Sequence, residues 1–348
     1  VESALGTATT TVNGGALSSD GPTERTIANP ISYGGDVTLG NATDTGVLTF
    51  TGTQTLTGNR TITVASDVVM SSRIADGGTG FGLTKTGAAR LTLTGTSGFT
   101  GPLDVNEGTV FVATGGVLPA AGLVGVNSGG TLAGSGVVGT VRVNDGGTLS
   151  PGNSPGTITA ANGVFAAGGN YNWQLLDAAG TAGQPTGWDL MAIAGGGTLD
   201  LTGLAPTSTA TRFNLNTWTL SSISPDVNGP AANFVINDTS DYRFQLVSFS
   251  GSSSLLLPAG FAPVFPDQNL TTLFNIRTGA INGTAGWDAS QVPAQNFMSV
   301  RVGLDGQSLD LVIVPEPEAL VLVGAAVVAG MGVRRRRAFA NRSTGSQT

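Results

Sequence analysis

Val105-Asn106-Glu107-Gly108-Thr109-Val110, Val126-Asn127-Ser128-Gly129-Gly130-Thr131-Leu132 and Val143-Asn144-Asp145-Gly146-Gly147-Thr148-Leu149 are one phrase written three times. A related form stands earlier, at Val12-Asn13-Gly14-Gly15-Ala16-Leu17. Each reads as a short strand, a turn at Asn-x-Gly where φ can become positive, and a second short strand. The asparagines of the three later copies lie 21 and then 17 residues apart. Self-similarity near ~20 residues is the mark of a solenoid. Between the phrases, Thr61-Ile62-Thr63-Val64 and Leu91-Thr92-Leu93-Thr94 alternate, which sends the aliphatic side chains inward and the threonines outward. The expected fold is all-β, a parallel β-helix with a stacked aliphatic core and strand edges that must be capped at its ends. An antiparallel sandwich or propeller is the competing reading. The tie between the repeat and turn residues at coil-like spacing favours the solenoid.

Composition narrows the chemistry. The 348 residues include 54 glycines, no cysteine and no histidine. Disulfides, thiolate nucleophiles, serine-histidine hydrolysis and ligation by histidine are therefore excluded. Lys85 is the sole lysine. Of the 15 basic residues, Arg334–Arg337 and Arg342 follow residue 333, whereas no acid follows Glu318. Residues 1–318 are thus acidic and the tail basic. An acidic domain is a poor partner for nucleic acid, and none is expected.

Gly80-Phe81-Gly82-Leu83-Thr84-Lys85-Thr86-Gly87 runs on through Leu91-Thr92-Leu93-Thr94-Gly95 and Phe99-Thr100-Gly101 to the phrase at Val105–Val110. This stretch, about 74–112, resembles the autotransporter-associated β-strand repeat, also called the passenger-associated transport repeat. It departs from the usual pattern at Ala89-Arg90 and Pro102-Leu103. The resemblance implies a right-handed β-helix on a secreted passenger and implies no enzyme. An autotransporter would end in a transmembrane β-barrel; here a sorting segment is expected in its place.

Residues 1–205 are read as the β-helix. Leu149-Ser150-Pro151-Gly152-Asn153-Ser154-Pro155-Gly156 punctuates it as a rigid turn between coils. Residues 206–313 lose the glycine-threonine rhythm and gain Phe, Pro and Trp, and are read as an antiparallel β cap; an independent domain on a linker is the alternative. Within the cap, Met298–Leu304 and Ser308–Val314 are expected to pair as a hairpin through Asp305-Gly306-Gln307. Residues 338–348 form a basic, polar tail.

Val314-Pro315-Glu316-Pro317-Glu318 precedes an uncharged apolar run, 319–333, and then Arg334, Arg335, Arg336 and Arg337. As a helix the run spans roughly 22 Å, short of the ~30 Å hydrocarbon core. Bilayer thinning or snorkelling arginines can cover the difference. The arginines belong on the cytoplasmic side. Residues 314–337 resemble the PEP-CTERM sorting signal of exopolysaccharide-producing Gram-negative bacteria. The resemblance implies recognition at Pro315, Glu316 and Pro317 by an exosortase, cleavage nearby, and the four arginines as a membrane stop. Glu318 and the residues beyond Arg337 depart from the pattern. Such a signal also calls for an export signal upstream, so Val1 is expected to begin either a mature form or a fragment of a longer protein.

Acidic residues are the catalytic candidates of such a scaffold, because paired carboxylates on a coil can cleave polysaccharides. The candidates are Asp104, Glu107, Asp145, Asp177, Asp189 and Asp200. Glu107 and Asp145 share a slot in the phrase with Ser128 between them, which would set them about 9–10 Å apart at ~4.8 Å per coil. As turn residues beside glycine they read more simply as solvated. Asp76-Gly77-Gly78 and Asp145-Gly146-Gly147 only loosely resemble calcium turns, and no metal or cofactor is expected. Trp173, Trp188, Trp218 and Trp287 are read as packing residues before sugar platforms. The expected function is non-enzymatic: an exported structural or adhesive protein of the cell surface or extracellular matrix, transiently anchored in the inner membrane. Its partners would be an exosortase and exopolysaccharide or envelope glycans. A polysaccharide lyase or glycosidase on the same scaffold, or a fragment of a longer adhesin-like passenger, are the alternatives.

Overall fold

The computed structural model describes residues 6–223, 226–235, 241–261, 264–279, 286–293 and 297–314. Its strands fall into sheets of 4, 14 and 11 strands, which we call the first, second and third faces. The chain visits them in turn. Ile31–Tyr33 lies on the first face, Val37–Leu39 on the second and Leu48–Phe50 on the third. Each pairs in parallel with its counterpart one coil on: Gln54–Leu56, Arg60–Val64 and Val68–Met70. This is the parallel β-helix that the repeat predicts.

Register stacks like on like. Leu91 sits beside Val110, Val110 beside Leu132, Leu132 beside Leu149 and Leu149 beside Tyr171. All five are buried, each worth about 1.5–3 kcal/mol relative to exposure. Thr92 and Thr131 take the outward positions between them, as alternation requires.

The cross-section changes along the axis. The first face ends as a sheet at Ile74–Ala75 and continues only as the bridges Thr96–Val117 and Val117–Val137. At Val137–Val143 it merges with the second face, and this single strand pairs along its length with Thr157–Phe165. The early phrase Val12–Leu17 turns between the first and second faces, whereas the three later copies turn between the second and third. Asn-x-Gly is therefore a general corner device here rather than a marker of one corner.

Parallel pairing does not stop at residue 205. Asn170–Leu175 pairs in parallel with Phe213–Ile223, which pairs in parallel with Phe274–Arg277. On the second face Leu190–Ile193 pairs with Tyr242–Phe249. The rhythm fades from the sequence because the coils lengthen: Asn172 and Asn216 are adjacent across 44 residues, Asn214 and Asn275 across 61. The core turns aromatic at this end. Phe165 stacks on Phe213 at 4.2 Å, and Trp173 and Trp188 pack on Phe244.

The antiparallel cap is present and starts later than expected. Met298–Val302 and Ser308–Ile313 form the anticipated hairpin, and its second strand lies antiparallel on Tyr242–Phe249. Arg243 and Arg301 both reach Asp267, at 2.6 and 3.1 Å, and tie the cap's strands to the preceding loop. Among the described residues no helix is long and apolar enough to cross a membrane. The expected segment 319–333, with Pro315, Glu316, Pro317 and Arg334–Arg337, lies outside the described residues.

Candidate functional site

The corner between the second and third faces carries the repeated phrase, and its side chains form a continuous ladder. Asn127 Nδ2 donates to Asn106 Oδ1 at 2.7 Å, and Asn144 Nδ2 donates to Asn127 Oδ1 at 2.7 Å. Arg142 Nε donates to the Oδ1 of Asn144 at 2.9 Å. Each turn then passes through a glycine in the left-handed region: Gly108, Gly129 and Gly146 have φ of 63°, 87° and 70°. A side chain is disfavoured there, which explains why the phrase keeps glycine at this step.

Lys85 lies beneath this corner. It pairs with Ile62 on one side and Val105 on the other, both inward-facing, so alternation points its side chain into the core. It is fully buried. Nζ donates to the carbonyl of Gly87, to that of Ala89 at 2.6 Å and to that of Glu107 at 2.7 Å. Burial pushes its pKa down to about 8, against the pull of Glu107 and Asp67. The ammonium thus knits the turn of its own coil to the turn of the next.

Residues 83–110 match the family model of the passenger-associated-transport repeat. The repeat therefore begins on the strand that carries Lys85 and ends on the strand after the first asparagine turn. It lies within the stretch 74–112 singled out from the sequence. The match supports the coarser reading, an exported surface chain of passenger type. No curated protein matches the chain.

The candidate carboxylates do not converge. Glu107 Oε2 accepts from the Gly87 amide at 3.0 Å, on the coil before it. Asp145 leans the other way, over Gly168 on the coil after it. Asp104 stands over Gly125 on the outer surface. Asp177 accepts from the Ala179 amide and from Asn233 Nδ2, and Asp200, at the end of the strand Thr198–Asp200, from the amide and hydroxyl of Thr202, so both carboxylates are engaged by the turns that follow them. Asp189 is fully buried and accepts from the amides of Gly156 at 2.9 Å and Gln174 at 3.0 Å. Burial holds its pKa well above the usual carboxylate range, despite those two donors. Among the described residues no three acidic side chains gather as a metal site.

The loosely calcium-like Asp76 is an anion cradled by protein donors. Its oxygens accept from the amides of Gly78, Gly80, Phe81 and Thr100 at 2.8 to 3.1 Å and from the Thr100 hydroxyl at 2.8 Å. Burial raises its pKa, but these donors outweigh it and leave the carboxyl well below its ordinary value. Trp173, Trp188 and Trp287 are buried, while Trp218 is half-buried. Trp287 Nε1 donates to Thr217 Oγ1 at 2.7 Å inside the last coil. Sequence reasoning passed over Lys85 as a structural centre, although its place two residues after Leu83 put it in the inward register. It also passed over the turn at 151–157, read only as a connector.

Proposed function

We propose that the chain is an exported, non-enzymatic β-helix displayed at the cell surface or in an extracellular matrix. In this reading a sorting signal at 314–337 is recognised through Pro315, Glu316 and Pro317 and cleaved by an exosortase. The apolar run 319–333 holds the precursor in the inner membrane, with Arg334–Arg337 as the cytoplasmic stop. The observation that carries the reading is the passenger-associated repeat at 83–110 seated in a parallel solenoid. A long solenoid with a repeating polar exterior supports many weak contacts whose joint avidity exceeds any single one. A non-catalytic role is supported by the placement of Glu107 and Asp145, which engage opposite coils instead of facing one another.

The test is export from the native cells, read by labelling of intact cells and by the mass of the mature C-terminus. Surface labelling with loss of everything after the Pro315–Pro317 region is the expected result. An intracellular chain, or a surface chain that keeps residues 319–348, would overturn the sorting reading.

A further inference from the structure

A cleft of about 570 Å³ opens beside the turn at 151–157. Its walls come from successive corners of the solenoid. Thr114 follows the strand Gly108–Val112, Ser135 follows Gly130–Gly134, Asn153 and Thr157 flank the next turn, and Gln184 follows Asn170–Leu175. At ~4.8 Å per coil the cleft runs roughly 15 Å along the axis. It suits an elongated ligand rather than a compact one.

The walls combine polar side chains with apolar surface. Hydroxyls and carboxamides supply their polar groups, and among the described residues no charged side chain lines them. Such groups both donate and accept, as do the hydroxyls of a sugar. Pro155, Pro185 and Ile223 add apolar surface. An anionic ligand would find no cation among these residues.

The cleft is braced before any ligand arrives. Gly156 donates its amide to the buried Asp189, and Thr157 Oγ1 donates to the Gly183 carbonyl at 2.9 Å, which joins two walls. Ser154 is held at φ 67°, a left-handed conformation that costs a non-glycine residue energy, and its hydroxyl is buried without a partner. Strain of this kind beside an open cleft persists only where the surroundings enforce it, and rigid walls reduce the ordering cost of binding.

The geometry points to a binding site for an uncharged, hydroxyl-rich polymer: the cleft takes a short run of a neutral polysaccharide. This deepens the matrix-contact reading above and rests on it.

Calorimetry of the purified chain against neutral cello-, xylo- and malto-hexaose, with an alginate hexamer as the anionic control, tests the site. Thr114→Trp and Gln184→Trp both fill the cleft from exposed positions, and unchanged melting curves establish that they fold. Binding of a neutral hexamer that weakens at least about tenfold in both variants, with no binding of the alginate hexamer, is the expected result. Absence of binding to all three neutral hexamers, binding untouched by both substitutions, or preference for the alginate hexamer would overturn the site. Surface delivery of the same variants is scored separately. Normal delivery without neutral-glycan binding removes the cleft and leaves the export reading intact, whereas failed delivery with intact binding does the reverse.

Discussion

Lys85→Met keeps the length and apolar stem of the side chain and removes its ammonium. The substitution strands the carbonyls of Gly87, Ala89 and Glu107, which Lys85 Nζ now joins. At about 2 kcal/mol for each of these part-buried hydrogen bonds from a charged donor, the loss is ~6 kcal/mol. Part is returned, because a charge no longer needs to be buried. The fall of the lysine pKa from 10.5 to about 8 corresponds to ~3 kcal/mol at 1.36 kcal/mol per unit. The net expectation is a destabilisation of about 3 kcal/mol. Urea denaturation reads the total, and hydrogen exchange at Gly87–Arg90 and Glu107–Thr109 reads its location. The sign of the pH dependence offers a second check. A lysine whose pKa is lower in the folded chain burdens the fold while it stays charged. Stability should therefore rise with pH between about 8 and the ordinary lysine value of 10.5, and the Lys85→Met chain should lack that rise. A variant as stable as the parent, with the exchange at both turns unchanged, would refute the view that this lysine clamps two coils together.

Asn127→Ala removes both a donor and an acceptor from the corner ladder and should cost about 1–2 kcal/mol in urea denaturation. Gly146→Ala places a side chain at φ 70° and against Ser128; a loss of ~1–2 kcal/mol by the same assay is expected. Asp76 and Asp189 should act oppositely on acid titration. Asp76, with its pKa depressed in the fold, contributes stability above the unfolded carboxylate pKa that is lost as pH falls, so Asp76→Asn should flatten the acid limb. Asp189, with its pKa raised, favours the fold when protonated, so its contribution declines as pH rises from the unfolded carboxylate pKa toward the folded one. Stability curves of the single Asp→Asn variants between acid and neutral pH separate the two.

Much of the solenoid was legible because its corners need a conformation that few residues tolerate. Asn-x-Gly at 106–108, 127–129 and 144–146 marks the same turn on adjacent coils, and Leu-Thr alternation gives the inward stripe. The hairpin at 298–313 was legible for a similar reason, since Asp305-Gly306-Gln307 interrupts two alternating runs. The last coils were not. Insertions between Leu175 and Leu190, and again between Leu256 and Phe274, destroy the period while register survives in space, as Asn170, Asn214 and Asn275 still line one column. Lys85 was hidden by its residue type, because lysine is ordinarily a surface residue. The cleft was hidden because its walls come from turns far apart in sequence, each reading as an ordinary loop.

Among the described residues one solenoid runs from the repeat into Phe274–Arg277. The cysteine-free chain permits a direct test by pulsed dipolar spectroscopy of spin labels at Thr92→Cys and Arg277→Cys. The two positions lie on the outer side of the third face, with Phe111, Ala133, Ser150, Asn172 and Asn216 on the rungs between them, the step from Ser150 to Asn172 extending the register of Thr148 with Asn170 and Leu149 with Tyr171. A narrow distribution centred near ~29 Å, from ~4.8 Å per rung and allowing for the label tethers, is the predicted result. A broad distribution, or one centred far beyond that distance, would contradict the account.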